Sequence, residues 1–175
     1  MSRYRPPSPP KSPYISAAGA EMLKRELDEL WRIERPKVTD AVREAAKNGD
    51  RSENGDYIYG KKRLREIDSR VRYLTKRLEI LKVISEPPAD QNKVFFGATV
   101  RLEDDDGKEQ TLHIVGPDEL DLRANKISID APIARALLGK GIDDEIQFTA
   151  PAGAQYRVIT DINYDLLKRQ APKQD

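Results

Sequence analysis

The chain has 175 residues, 38% of them apolar, with 31 basic and 30 acidic side chains and a formal net charge of +1. That length suits one or two small domains, and the apolar share is low for a single core of this size. The absence of cysteine excludes disulfides and thiolate zinc sites, and the single histidine leaves little for a permanent transition-metal cage. No segment resembles a signal peptide or a membrane span, so a cytoplasmic protein without membrane contact is expected.

The near-neutral total conceals segregation. Residues 57–82 carry 9 basic and 3 acidic side chains, whereas residues 83–175 carry 11 and 17. A positive stripe beside an acidic stretch is an arrangement that faces a partner.

In chain order, residues 1–15 form a proline-rich arm, with five prolines in the first thirteen positions; such a composition predicts a disordered or polyproline-like segment. Residues 16–86 predict an antiparallel pair of helices. Ser16 suits an N-cap, and Met22, Leu23, Leu27, Leu30 and Trp31 recur at three- and four-residue spacing, continuing through Val38, Val42, Ala45 and Ala46 to Gly49. Pro36 interrupts this pattern, so a kink or short break is expected near Arg35.

The second helix has the cleaner periodicity. Tyr57, Gly60, Leu64, Ile67, Val71, Leu74, Leu78 and Leu81 alternate steps of three and four, a heptad seam that predicts coiled-coil packing against the first helix until Pro87 and Pro88 end it. Two helices joined by a few residues fold back on each other, so residues 49–57 become an exposed, acidic tip.

From Lys93 the period changes. Residues 94–102 and 110–115 read as a hairpin with an acidic turn, 126–129 as a third strand, 132–138 as a short helix, and 144–149 and 155–162 as two more strands. Residues 87–166 therefore predict a small α+β domain with a mainly antiparallel sheet, and residues 167–175 a frayed tail. His113 alternates with apolar neighbours and reads as structural.

Asp50 and Glu53, three residues apart at the expected start of the second helix, place two carboxylates on nearly the same side of its first turn. Such a pair suits Mg²⁺; it equally resembles a capping box that favours the helix dipole. Tyr57 and Tyr59 have rings that can stack on bases or close the helix end. Lys61, Lys62, Arg63, Arg65, Arg70 and Arg72 suit contacts to phosphates, or an ordinary solvated helix face.

The stretch Gly49-Asp50-Arg51-Ser52-Glu53-Asn54 with Asp56-Tyr57, the basic run Lys61-Lys62-Arg63-Leu64-Arg65, and in the second domain Lys93-Val94-Phe95-Phe96-Gly97-Ala98 and Ile127-Ser128-Ile129-Asp130-Ala131-Pro132 resemble the Gre transcript cleavage factor family. The likeness covers residues 14–164. It implies a coiled coil that enters the secondary channel of bacterial RNA polymerase, and an FKBP-like C-terminal domain that grips the channel rim through Asp130 and Pro132.

It implies further that Asp50 and Glu53 help the polymerase hold a shared Mg²⁺ and cut the extruded 3′ end of nascent RNA in backtracked complexes, so that the catalytic machinery is divided between two proteins. The chain itself would then be a monomeric activator and not an enzyme, with Lys61, Lys62, Arg63, Arg65, Arg70 and Arg72 contacting the extruded RNA. Two further classes stay open: a channel-binding regulator that modulates or inhibits polymerase without cleavage, and a prolyl isomerase or peptide-binding module. Gly55 stands where the family usually has Ala. It loosens the first turn of the second helix by up to about 1 kcal/mol.

Overall fold

Ser16 opens the first helix as its residue type suggests, its Oγ accepting the Gly19 N–H at 3.1 Å. The computed structural model describes residues 9–49, 51 and 53–170; the first eight residues of the expected arm, Asp50 of the acidic pair, and residues 171–175 of the expected tail lie outside them. The described residues divide into a helical unit, Ala20–Leu81, and a second unit made of the segments on either side of it.

Strand β1 (Tyr14–Ser16) leads directly into α1 (Ala17–Glu29). The backbone then widens into a π-helical turn over Leu30–Glu34, closed by the Arg35 N–H donating to the Leu30 carbonyl, and resumes as α2 (Arg35–Ala45). Pro36 explains the turn. It lacks an N–H, and its ring would clash with the carbonyl four residues back, so the turn before it widens and the helix continues without a break.

Helix α3 (Gly55–Ile80) runs antiparallel to this pair. Arg70 grips Glu26, Arg35 grips Asp68, Arg63 grips Glu34, and Asn54 reaches Ala45, so rising numbers on one helix meet falling numbers on the other. Ile67, Leu74 and Gly60 of the expected seam are buried, with Leu64, Val71 and Leu78 half-buried beside them. On the first helix Leu23, Leu30 and Ala45 are buried, but Met22 and Trp31, expected on the same face, are exposed. Gly60 lets the helices approach closely: an added Cβ there would lie 2.4 Å from Val42 Cγ2.

Helix α3 ends at Ile80 and not at Pro87. Strand β2 (Lys82–Ile84) pairs in parallel with β1, Tyr14 opposite Lys82 and Ser16 opposite Ile84. This pairing takes the backbone donors and acceptors that another helical turn would use.

The second unit holds a five-stranded sheet in the order β5-β4-β3-β7-β6. Its strands are β3 (Thr99–Glu103), β4 (Glu109–Val115), β5 (Lys126–Ser128), β6 (Glu145–Ala150) and β7 (Gly153–Asn163). All pairings are antiparallel except β4 with β5. Residues 94–98, expected to begin β3, form a turn instead, because Gly97 takes a φ of +83° against Leu167. The Asp104 carboxylate accepts the Asp106 and Lys108 N–H groups and closes the acidic β3–β4 turn.

Helix α4 (Pro132–Leu137) buries Ala134 and Leu137 on the sheet. Residues from Asp165 form a helix, α5 (Asp165–Gln170), where a frayed tail was expected; Leu167 is buried in the core beside Tyr164, whose hydroxyl donates to the Lys93 carbonyl. His113 is half-buried and shares a 2.8 Å hydrogen bond with Thr99 Oγ1, and burial pushes its pKa below the usual histidine value. No helix among the described residues is long and apolar enough to cross a membrane.

Candidate functional site

The connection between α2 and α3 is built around Asn54. Its side-chain oxygen accepts the Tyr57 N–H at 3.1 Å and caps α3, while its amide donates to the Ala45 carbonyl at 2.7 Å and the Asn48 carbonyl at 3.3 Å. One side chain thus satisfies a donor at the start of one helix and two acceptors at the end of the other. Gly49, at φ +84°, turns the backbone out of α2.

This corrects the reading of the acidic pair as residues of a first helical turn. Helix α3 starts at Gly55, so Glu53 precedes the cap and lies in the turn. Its carboxylate is exposed, with no hydrogen bond or ion pair among the described residues. The cap of α3 is held by Asn54, so Glu53 does not stand at the third position of this helix as a capping box would need. Tyr57 is half-buried at the seam with the Arg51 guanidinium 5.9 Å from its ring centre, whereas Tyr59 is exposed.

The six basic residues of α3 do not act as one set. Arg63 bonds Glu34 and also pairs with Glu66 at 3.3 Å, and Arg70 grips both Glu26 oxygens at 2.7 and 2.9 Å. Hydrogen bonding to Glu34 pushes the Arg63 pKa up, and Asp68 does the same for Arg35. These arginines join the two helices. Lys61, Lys62, Arg65 and Arg72 are exposed and make no ion pair among the described residues. At 100° per residue Lys61, Arg65, Arg72 and Lys76 fall within about 60° of one another, roughly 130° round from the seam. They form an outward cationic row.

In the second unit Asp130 is half-buried and not the cap of α4, which is Ala131. Its carboxylate accepts the Ser12 N–H at 2.9 Å and the Ser12 hydroxyl. Pro132 is exposed at the first position of α4. Glu119, 9% exposed, takes the Ser16 N–H at 3.0 Å, the Ser16 hydroxyl and the Gly116 N–H at 3.1 Å.

Sequence reasoning missed Asn54, Ser12 and Glu119. Asn54 had a readable signal, since an Asn immediately before a helical period is a favoured cap. The other two had none, because their partners lie 118 and 103 residues away.

Two family models match the chain: "Transcription elongation factor, N-terminal" over residues 13–83 and "Transcription elongation factor, GreA/GreB, C-term" over residues 89–164. A protein of Pseudomonas aeruginosa named transcription elongation factor GreB is 60% identical over 94% of this chain and 98% of its own. A GreB of Pasteurella multocida is 56% identical over 89% and 98%. Among solved structures, a GreA/GreB elongation factor from Nitrosomonas europaea shares 24% identity, covering 87% of this chain and 100% of its own, with a TM-score of 0.40.

Proposed function

The chain belongs to the GreA/GreB family of transcription elongation factors, and from that premise we propose that it activates RNA cleavage by bacterial RNA polymerase. The helical unit acts as an antiparallel coiled coil that enters the secondary channel, and the sheet unit acts as an FKBP-like module on the channel rim. The factor works as a monomer in the cytoplasm and carries no nuclease activity of its own. Its substrate is the extruded 3′ end of nascent RNA in a backtracked, arrested complex, and shortening that RNA lets synthesis resume.

One observation carries this reading: Asn54 performs the capping, which leaves Glu53 exposed and with no hydrogen bond or ion pair among the described residues. A free carboxylate in a turn is a hard oxygen donor, and with Asp50 it fits Mg²⁺, which is commonly held by one or two carboxylates, water and substrate phosphate. When shared with the polymerase, the ion supplies charge stabilisation at the leaving oxygen and lowers the pKa of the attacking water. Asp50 and Glu53 donate ligands and orient that water. Lys61, Lys62, Arg65 and Arg72 hold phosphates of the extruded strand, while Arg63 and Arg70 keep the helix carrying them in place. Asp130 and the exposed Pro132 contact the rim.

The test is cleavage of a stalled, backtracked complex by wild type and by the double variant Asp50→Asn, Glu53→Gln. The amides keep the shape of the tip and remove its charge. Cleavage is expected to fall at least a hundredfold while the variant competes for polymerase as well as wild type, and Asp130→Ala should compete less well. Wild-type cleavage by the double variant would sink the proposal.

A further inference from the structure

The start of α3 carries an aromatic ring that the fold does not use. Tyr59 is 72% exposed, more than any other aromatic side chain among the described residues, and its hydroxyl has no hydrogen-bond partner among them. Tyr57, two residues earlier, is instead half-buried at the seam. Hairpin packing therefore accounts for one tyrosine and leaves the other unexplained.

The surroundings of Tyr59 indicate what it meets. It borders a groove lined by the apolar Val38 and Ala41, by Lys37, and by the acids Glu34, Glu44 and Asp56, of which Glu34 pairs with Arg63 and Glu44 with Lys47. Lys62, three residues on, lies on the same flank of α3 and is exposed and unpaired among the described residues, whereas Lys61, two residues on, falls on the far side of the helix. A flat ring flanked by Lys62, with Lys37 in the same groove, matches a nucleobase joined to its phosphates. Stacking on an aromatic ring accepts any base, as a factor that acts on transcripts of every sequence requires. A protein surface docking here would instead favour a site depleted of lysine.

We propose that Tyr59 is a stacking platform for an unpaired base near the 3′ end of the extruded RNA, with Lys62 on an adjoining phosphate. The proposal rests on the reading that the extruded RNA contacts α3. Stacking fixes the strand along its length and so sets which phosphodiester lies against Glu53. Tyr59 is a positioning residue in this account, since it touches a base and not the reacting atoms.

The experiment uses the full chain and backtracked polymerase complexes, with an abasic nucleotide placed in turn at each of the last four RNA positions. On intact RNA, Tyr59→Ala is expected to slow cleavage about tenfold, and Tyr59→Phe to restore it to near the wild-type rate. At one abasic position the wild type should fall to the rate of Tyr59→Ala, so that the two become equal. If Tyr59→Ala is slower than wild type by the same factor on every RNA, the ring meets the polymerase and the proposal is overturned. Equal rates for wild type and Tyr59→Ala on intact RNA overturn it as well. Glu53→Gln, run in parallel on intact RNA, separates the two failures: full activity of that variant overturns the tip-carboxylate reading whatever the abasic series shows.

Discussion

Asn54 decides what the acidic residues around it are free to do. Were Glu53 tied into a helix cap, backbone N–H groups would occupy its carboxylate oxygens; with Asn54 in that role, no group among the described residues does so. Asn54→Ala removes the cap and the bonds to the Ala45 and Asn48 carbonyls, and should cost about 1–2 kcal/mol. Thermal unfolding would read the loss, and hydrogen exchange should quicken first at the start of α3. Asn54→Asp should retain the cap and lose only the donation to Ala45 and Asn48. The acidic pair was legible as a pair from its spacing. That Glu53 stands outside the cap was not, because two adjacent residue types, Glu53 and Asn54, both suit a helix start, and only the backbone shows which of them begins it.

Among the elements, α3 was the most legible. Its seam residues fall where the three-four alternation put them, since burying a stripe of Ile67, Leu74 and their neighbours is the main gain available to two isolated helices. The charged face was less legible: composition counts cations but cannot say which have an acid opposite on another helix. Arg63 and Arg70 have one in Glu34 and Glu26; Lys61, Arg65 and Arg72 have none among the described residues. Two triple and double variants should therefore behave differently. Replacing Lys61, Arg65 and Arg72 with Ala should leave the melting temperature unchanged and impair cleavage of long extruded RNA more than release of dinucleotides. Replacing Arg63 and Arg70 with Ala should lower the melting temperature, with activity falling only as the fold is lost. The short strands β1 and β2 escaped notice altogether, because three residues carry no period.

At the scale of the whole molecule, the chain is fastened by contacts across long sequence separations. Glu119 accepts three hydrogen bonds from Ser16 and Gly116, and its side chain fills the space beside Gly19, where a Cβ would come within 2.4 Å of Oε1. Truncation to Ala would leave buried donors without acceptors, at about 2–4 kcal/mol; Glu119→Gln, which keeps one acceptor oxygen, should cost less, and chemical denaturation of the two variants would rank them. The wider turn at Leu30–Glu34 has a consequence of its own. Buried and half-buried positions include 23 and 27 before it, 30 and 34 within it, and 38, 42 and 45 after it, so this stripe takes a step of four where a strict heptad would take three, and the turn absorbs the surplus residue. Azimuth at the acidic end is thereby a matter of residue arithmetic: excising seven residues from each helix would shorten the arm and preserve its bearing, whereas excising one from this turn would swing everything distal by about 100° and aim the carboxylates at a different wall.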